Sequence, residues 1–251
     1  MSEDWPLGAV ELKVLDLARE GAFYEWFGLE RLDGGNDQAI FGADGSPILK
    51  LTALSEGRER PRHTAGLYHF AILLPDEREL GGFLRRTLEE RLPLTGTADH
   101  LVSQALYFDD PEGNGIEVYA DRPRSEWQYP DGRLDIGTEH LDFERLLRVG
   151  DRPKPKFSSG TLLGHVHLNV ADLDDSQAFY ESLGMELTAE AGRVMRFMSW
   201  DGYHHHLGIN VFEGPGAGTV EAGVRGLRQF QVRRIGSPRV DPNGITVTPT
   251  L

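Results

Sequence analysis

The 251-residue chain contains no cysteine. Disulfides and thiolate ligation are therefore excluded, and any metal must sit on histidine and carboxylate. Cationic residues are also few. Lys and Arg number 26 against 40 Asp and Glu, a formal net charge of −14. Phosphate binding needs clustered Lys and Arg, so no nucleic-acid partner is expected. There is no apolar run long enough to span a bilayer and no basic-then-apolar start. No membrane partner is expected, and the chain reads as cytoplasmic. Hydrophobic residues make up 39% and charged residues 26%, as in an ordinary globular protein, and the length gives one large domain or two small ones an ample core.

What the chain does hold is histidine, unevenly spread over positions 63, 69, 100, 140, 165, 167 and 204 to 206. The stretch from His100 to Glu117, HLVSQALYFDDPEGNGIE, is the most informative. A short strand-like run ends at Leu106-Tyr107. Asp110-Pro111-Glu112-Gly113 then reverses the chain, and a final strand opens with Ile116-Glu117-Val118-Tyr119. A lone acid between Ile116 and Val118 is costly to bury unless something cationic pairs with it, and a metal ion is one such partner. His69 is likewise a polar residue inside the apolar run Leu67 to Leu73. Two such residues in adjacent strands suit ligands that need a third.

The chain also matches itself at an offset of 156 residues: Gly8 to Leu17 lies over Gly164 to Leu173, and Ala22-Phe23-Tyr24-Glu25 over Ala178-Phe179-Tyr180-Glu181. Such self-similarity marks repeated supersecondary units. Each unit opens with an alternating strand. In the second copy Val166, Leu168 and Val170 face one way, and His165, His167 and Asn169 the other. Asp16 and Asp172 suit helix N-caps, and Gly28 and Gly184 suit helix ends. Residues 67–119 read as another strand–helix–strand–strand unit. Residues 226–251 begin as a fourth unit but leave no room for a full helix. Residues 122–161, rich in Pro, read as a linker with a short helix over Glu139 to Val149 after Thr138.

These residues resemble the vicinal oxygen chelate superfamily, the glyoxalase, bleomycin-resistance and extradiol dioxygenase group, and within it two-domain proteins of the catechol 2,3-dioxygenase kind. The resemblance covers nearly the whole chain in four modules, about 7–53, 66–121, 162–213 and a reduced 226–251. His100, Leu106, Tyr107, Asp110, Pro111, Gly113 and Glu117 match the extradiol signature; Ala98 departs from it. The resemblance implies an α+β fold of repeated βαβββ modules in curled mixed sheets, with the fourth module truncated. It divides the chain into an N-terminal domain at 1–121, a linker at 122–161 and a C-terminal domain at 162–251.

The resemblance also implies roles. Glu117 would be the carboxylate metal ligand, with His69 and His165 as ligands from first strands of modules. Tyr107 would hydrogen-bond the substrate oxygen, His100 would line the pocket, and His205 would be the acid–base histidine, ahead of His204 and His206. Pairing within each half offers Ala9, His69 and Glu117, or His165, Gln229 and Thr246, and neither set is complete. Pairing the second module with the third gives two imidazoles and one carboxylate. That set suits Fe(II), with Mn(II) as the alternative, and leaves positions open for a diol and dioxygen. The expected activity is extradiol cleavage of a catechol-like aromatic diol by O2. The alternatives are a metal-poor binding or resistance protein, and a glyoxalase-type metalloenzyme; the fourth carboxylate of the latter has no counterpart near Gly208. His167 is expected as a wall residue, and His63 and His140 as exposed. The truncated module would leave a sheet edge to be covered either by a second copy of the chain, making a homodimer, or by the 121–161 segment.

Overall fold

Alternation and capping decide the first elements. Asp16, Asp76 and Asp172 each accept backbone N–H groups of the helix that follows, which satisfies donors that have no intrahelical partner. Gly28 ends its helix at φ 129°, a conformation that costs glycine least. The computed structural model describes residues 4–250. In chain order the elements are β1 (Leu7–Val14), α1 (Leu17–Phe27), β2 (Glu30–Gly34), β3 (Gln38–Ala43), β4 (Ser46–Ala53), β5 (Gly66–Leu73), α2 (Glu77–Glu90), β6 (Leu94–Asp99), β7 (Ser103–Asp109), β8 (Gly115–Asp121), α3 (Phe143–Val149), β9 (Leu162–Asn169), α4 (Leu173–Glu181), β10 (Glu186–Ala191), β11 (Met195–Ser199), β12 (Leu207–Asn210), β13 (Gly226–Val232), β14 (Arg239–Val240) and β15 (Thr246–Pro249). None of the described helices is long and apolar enough to cross a membrane.

The strands form two mixed sheets. One has the order β14-β15-β13-β1-β4-β3-β2 and the other β10-β11-β12-β9-β5-β8-β7-β6. The first module therefore pairs with the reduced fourth through β1 and β13. The second pairs with the third through β5 and β9, both contacts being antiparallel. Each sheet draws strands from both sides of the 122–161 segment. The apolar faces of β1 (Val10, Leu12, Val14), β5 (Phe70, Ile72) and β9 (Val166, Leu168) enter one shared core. This leaves the opposite face of the eight-stranded sheet for His69, His165 and His167.

Two hydrogen bonds hold modules that are consecutive in sequence but belong to different sheets. Tyr24 on α1 donates to Asp110 at 2.8 Å, and Tyr180 on α4 donates to Asp241 at 3.1 Å. Each aspartate also accepts the N–H groups of its own Asp-Pro turn, from Glu112 and Asn114 in one case and from Asn243 and Ile245 in the other. Hydrogen bonds to buried carboxylates contribute about 1.5–3 kcal/mol each. The turn leading to β8, and so the position of Glu117, is fixed from α1.

One sequence expectation changes. The helix expected over Glu139 to Val149 starts at Phe143, capped by Asp142 rather than Thr138. Glu139 and Asp99 exchange backbone hydrogen bonds at 2.8 and 3.0 Å, so that residue is held extended beside β6 and cannot enter a helical turn. In the fourth module the space between β13 and β15 holds only the two-residue β14.

Beside Asp110 lies Glu20, fully buried. Burial, together with the charges of Asp110 and Glu112, pushes its carboxyl up to about 9. The unfolded chain loses this proton above about pH 4.5 while the folded chain keeps it, so stability falls as pH rises between these values. Glu20→Gln removes that linkage. Thermal melts should show the variant more stable than the parent by at least about 2 °C at pH 8, with the gap closing towards pH 4. A lower melting point at pH 8 would mean that Glu20 is ionised and paired.

Candidate metal centre

The register of the eight-stranded sheet creates the centre. Ala71 of β5 is flanked by Glu117 of β8 on one side and His165 of β9 on the other. The small Ala71 leaves a gap over which the two longer side chains meet. His69, two residues back on β5, points to the same face. Glu117 Oε2 lies 3.0 Å from His69 Nε2 and 3.1 Å from His165 Nε2, and the two Nε2 atoms are 3.3 Å apart. All three residues are buried.

Burial by itself would raise the Glu117 carboxyl, but His165 and His69 hold it well below the usual carboxylate range. Burial lowers His165 to about 4 against the pull of Glu117. At neutral pH the cluster thus contains a carboxylate beside a neutral imidazole. Such groups offer lone pairs, as a cation requires. With bonds of about 2.1 Å, neighbouring donors lie ~3.0 Å apart around an octahedral ion and ~3.4 Å around a tetrahedral one. The observed separations fall between these values. The three donors occupy one face and leave the cavity side open, so the residues fit a divalent metal.

That side is a cavity of about 630 Å³. Its walls include Ile116, Ile136, Met195 and Phe197, with the exposed rings of Tyr68 and Phe212 in edge contact at 5.5 Å. Tyr107 and His100 share the wall. His100 Nδ1 can only donate to the Gly137 carbonyl, at 2.7 Å, so its Nε2 accepts the Tyr107 hydroxyl hydrogen, also at 2.7 Å. Burial, and then the charge of Glu117, push the Tyr107 hydroxyl well above its usual value, and it stays protonated.

The three consecutive histidines all point inward but do different things. His204 bonds Asp121, His206 accepts from the Trp200 N–H, and His205 lines the cavity with its ring centroid 4.1 Å from that of His165. Burial, reinforced by His165 and His204, lowers His205 well below the usual imidazole range. His167 is a wall residue with its ring 4.9 Å from that of His69. His63 and His140 are exposed. Sequence reasoning missed two contributions: Ile136, Gly137 and Thr138 from the linker close one side of the cavity, and Asp121 anchors His204. Only the acid at the end of the strand carrying Glu117 could have pointed to the second.

The seven-stranded sheet has no such donor set. Ala9 occupies the place of His165, and Glu11, where the repeat places it over His167, accepts from Thr52 at 2.7 Å, Gln229 at 2.7 Å and Arg228 at 3.1 Å, with Lys50 at 3.6 Å. Protein cations neutralise that acid.

A family model described as Glyoxalase/Bleomycin resistance protein/Dioxygenase superfamily matches residues 7–118 and 162–237. A catechol-2,3-dioxygenase of Bacillus subtilis (strain 168) is 40% identical over 242 residues, covering 92% of this chain and 83% of that protein. Among solved structures, glyoxalase I from Zea mays aligns at 16% identity with a TM-score of 0.57, over 97% of this chain and 92% of that one. The cppA protein from Streptococcus pneumoniae TIGR4 aligns at 13% identity with a TM-score of 0.60, over 98% and 99%. At these identities the structural likeness concerns the fold.

A ligand that binds only the folded state raises the melting temperature by mass action. Adding Mn(II) to chelator-treated protein should therefore raise it, with calorimetry giving one ion per chain. His165→Ala and Glu117→Ala should remove the increment. An equal increment in either variant would place the ion elsewhere.

Proposed function

We propose that this chain, which belongs to the Glyoxalase/Bleomycin resistance protein/Dioxygenase superfamily, is an extradiol ring-cleaving dioxygenase acting on an uncharged catechol. The observation that carries this reading is the convergence of His69, Glu117 and His165 on one face at the floor of a largely apolar cavity. Fe(II) held there would supply redox chemistry and open positions at which a vicinal diol and dioxygen can meet; Mn(II) accepts the same donors. In the overall reaction one ring C–C bond beside the diol breaks and both atoms of O2 enter the product, so no further reductant is consumed.

The chain's own residues supply the rest. Tyr107, its hydrogen committed to His100, offers an oxygen lone pair that orients a diol hydroxyl. His205, neutral in the cavity wall, is placed to take a proton from the diol and return it after ring opening. Ile116, Met195 and Phe197 exclude water from the ring. The described lining contains no lysine or arginine, while Glu117 and Asp109 are acidic. A carboxylate on the substrate would thus be desolvated without a partner.

The glyoxalase-type isomerase reading needs a further carboxylate at the third module's last strand. Gly208 stands there, and a Cβ on it would lie 2.8 Å from the His167 ring. His167 fills the space that such a side chain would need.

The test is an assay in which protein reconstituted anaerobically with Fe(II) is mixed with catechol in air-saturated buffer, following oxygen uptake and the yellow ring-opened product. Wild type should turn over, and His69→Ala and Glu117→Gln should abolish turnover. 3,4-Dihydroxybenzoate should show a kcat/KM at least about tenfold lower than catechol. Full activity in either variant would refute the assignment of ligands, and a preference for the charged diol would refute the assignment of substrate.

A further inference from the structure

Behind His205 a line of hydrogen bonds leads away from the centre. His205 Nδ1 meets His204 Nδ1 at 2.7 Å, and His204 Nε2 meets Asp121 Oδ1 at 2.8 Å. Tyr203 donates to the same carboxylate oxygen at 3.1 Å, with the Tyr119 hydroxyl 2.9 Å from that of Tyr203. The His204 ring is fully buried, packed against Tyr203 and Trp127. Asp121 is partly exposed and lines a second cavity of about 610 Å³ on the far side of this line from the candidate centre.

Counting donors fixes the direction of each bond. An ionised carboxylate can only accept, so His204 carries its hydrogen on Nε2. A neutral His204 then has a bare Nδ1, which must accept from His205. His205 therefore carries its hydrogen on Nδ1, and its bare Nε2 is the nitrogen left for a molecule in the first cavity. We infer that Asp121 and His204 are positioning residues that lock His205 in this tautomer, so that it meets a bound diol as a hydrogen-bond acceptor. The use made of the tautomer rests on the diol-cleaving reading above; the tautomer itself rests on the geometry. The opposite arrangement, a His204 cation donating to His205, would leave His205 with Nε2–H and no lone pair for the diol. The neutral line makes both hydrogen bonds with no charge beyond that of Asp121, and leaves only the His205 Nε2 free for the diol.

The tautomer can be read without turnover. In protein labelled with ¹⁵N-histidine and loaded with Zn(II), the His205 signals, identified by their loss in His205→Gln, should show a protonated Nδ1 and an unprotonated Nε2. Asp121→Asn keeps an acceptor oxygen and should preserve the pattern; Asp121→Ala should give a mixture. His204→Gln, whose amide can accept from His205 and donate to Asp121, and His204→Leu, which can do neither, form a parallel pair should Asp121→Ala not fold. In the Fe(II) assay the disrupting variants should lower kcat at least about tenfold with little change in KM for catechol, and the conservative ones should restore most of it. A protonated Nε2 in wild type, or an unchanged tautomer in both disrupting variants, overturns the inference. So does a change confined to KM. If wild type fails to cleave catechol, the function proposed above is at fault, and the spectra still decide the tautomer.

Discussion

The antiparallel pairing of β5 with β9 is the contact on which the candidate centre depends. It sets His69 opposite His167 and Ala71 opposite His165, while the parallel pairing of β5 with β8 brings Glu117 to the other side of Ala71. Three donors from three strands then meet over one small side chain. If β5 lay beside β1 instead, Ala9 would stand where His165 does and only two donors would converge. A slip of one residue in register would turn the histidines into the apolar core, because side chains alternate along a strand. The Phe70, Ile72, Val166 and Leu168 faces resist that slip by burying themselves on the other side.

The two sheets solve the same electrostatic problem in different ways. Each buries an acid on its polar face, Glu117 in one and Glu11 in the other. Around Glu11 stand Arg228, Lys50, Thr52 and Gln229, which can only donate to it or attract it, so the acid is neutralised from within the protein. Around Glu117 stand two imidazoles, one of which burial keeps neutral. Imidazole nitrogens can offer lone pairs where guanidinium and ammonium groups cannot. This difference makes one sheet suited to a divalent ion and the other not.

Rigidity around the centre comes from contacts between modules that are neighbours in sequence but not in their sheets. The Tyr24–Asp110 bond ties the turn before β8 to α1, and its counterpart Tyr180–Asp241 does the same for the reduced module. The linker adds a wall. Its Gly137 carbonyl accepts from His100, which in turn accepts from Tyr107, so a loop sets the direction in which a cavity hydroxyl points. A loop of the connecting segment thereby takes part in the site's hydrogen bonding.

Much of this could be read from the chain. The repeat, the three aspartate caps and the alternation of β9 are local patterns, set by strand and helix geometry within a few residues. The family resemblance carried by the spacing from His100 to Glu117, with the incomplete donor set that it implied for each half, pointed to the three side chains that the fold brings together. Other features depended on long-range contacts. Glu139 fails to join a helix because Asp99, forty residues earlier in the chain, holds its backbone. Which of His204, His205 and His206 faces the cavity follows from Asp121 and Trp200 on either side of them. Local sequence determines which groups are available and which face of an element they share. Only tertiary structure decides which groups meet, because hydrogen-bond direction and donor convergence are properties of atoms placed side by side by strands far apart in the chain.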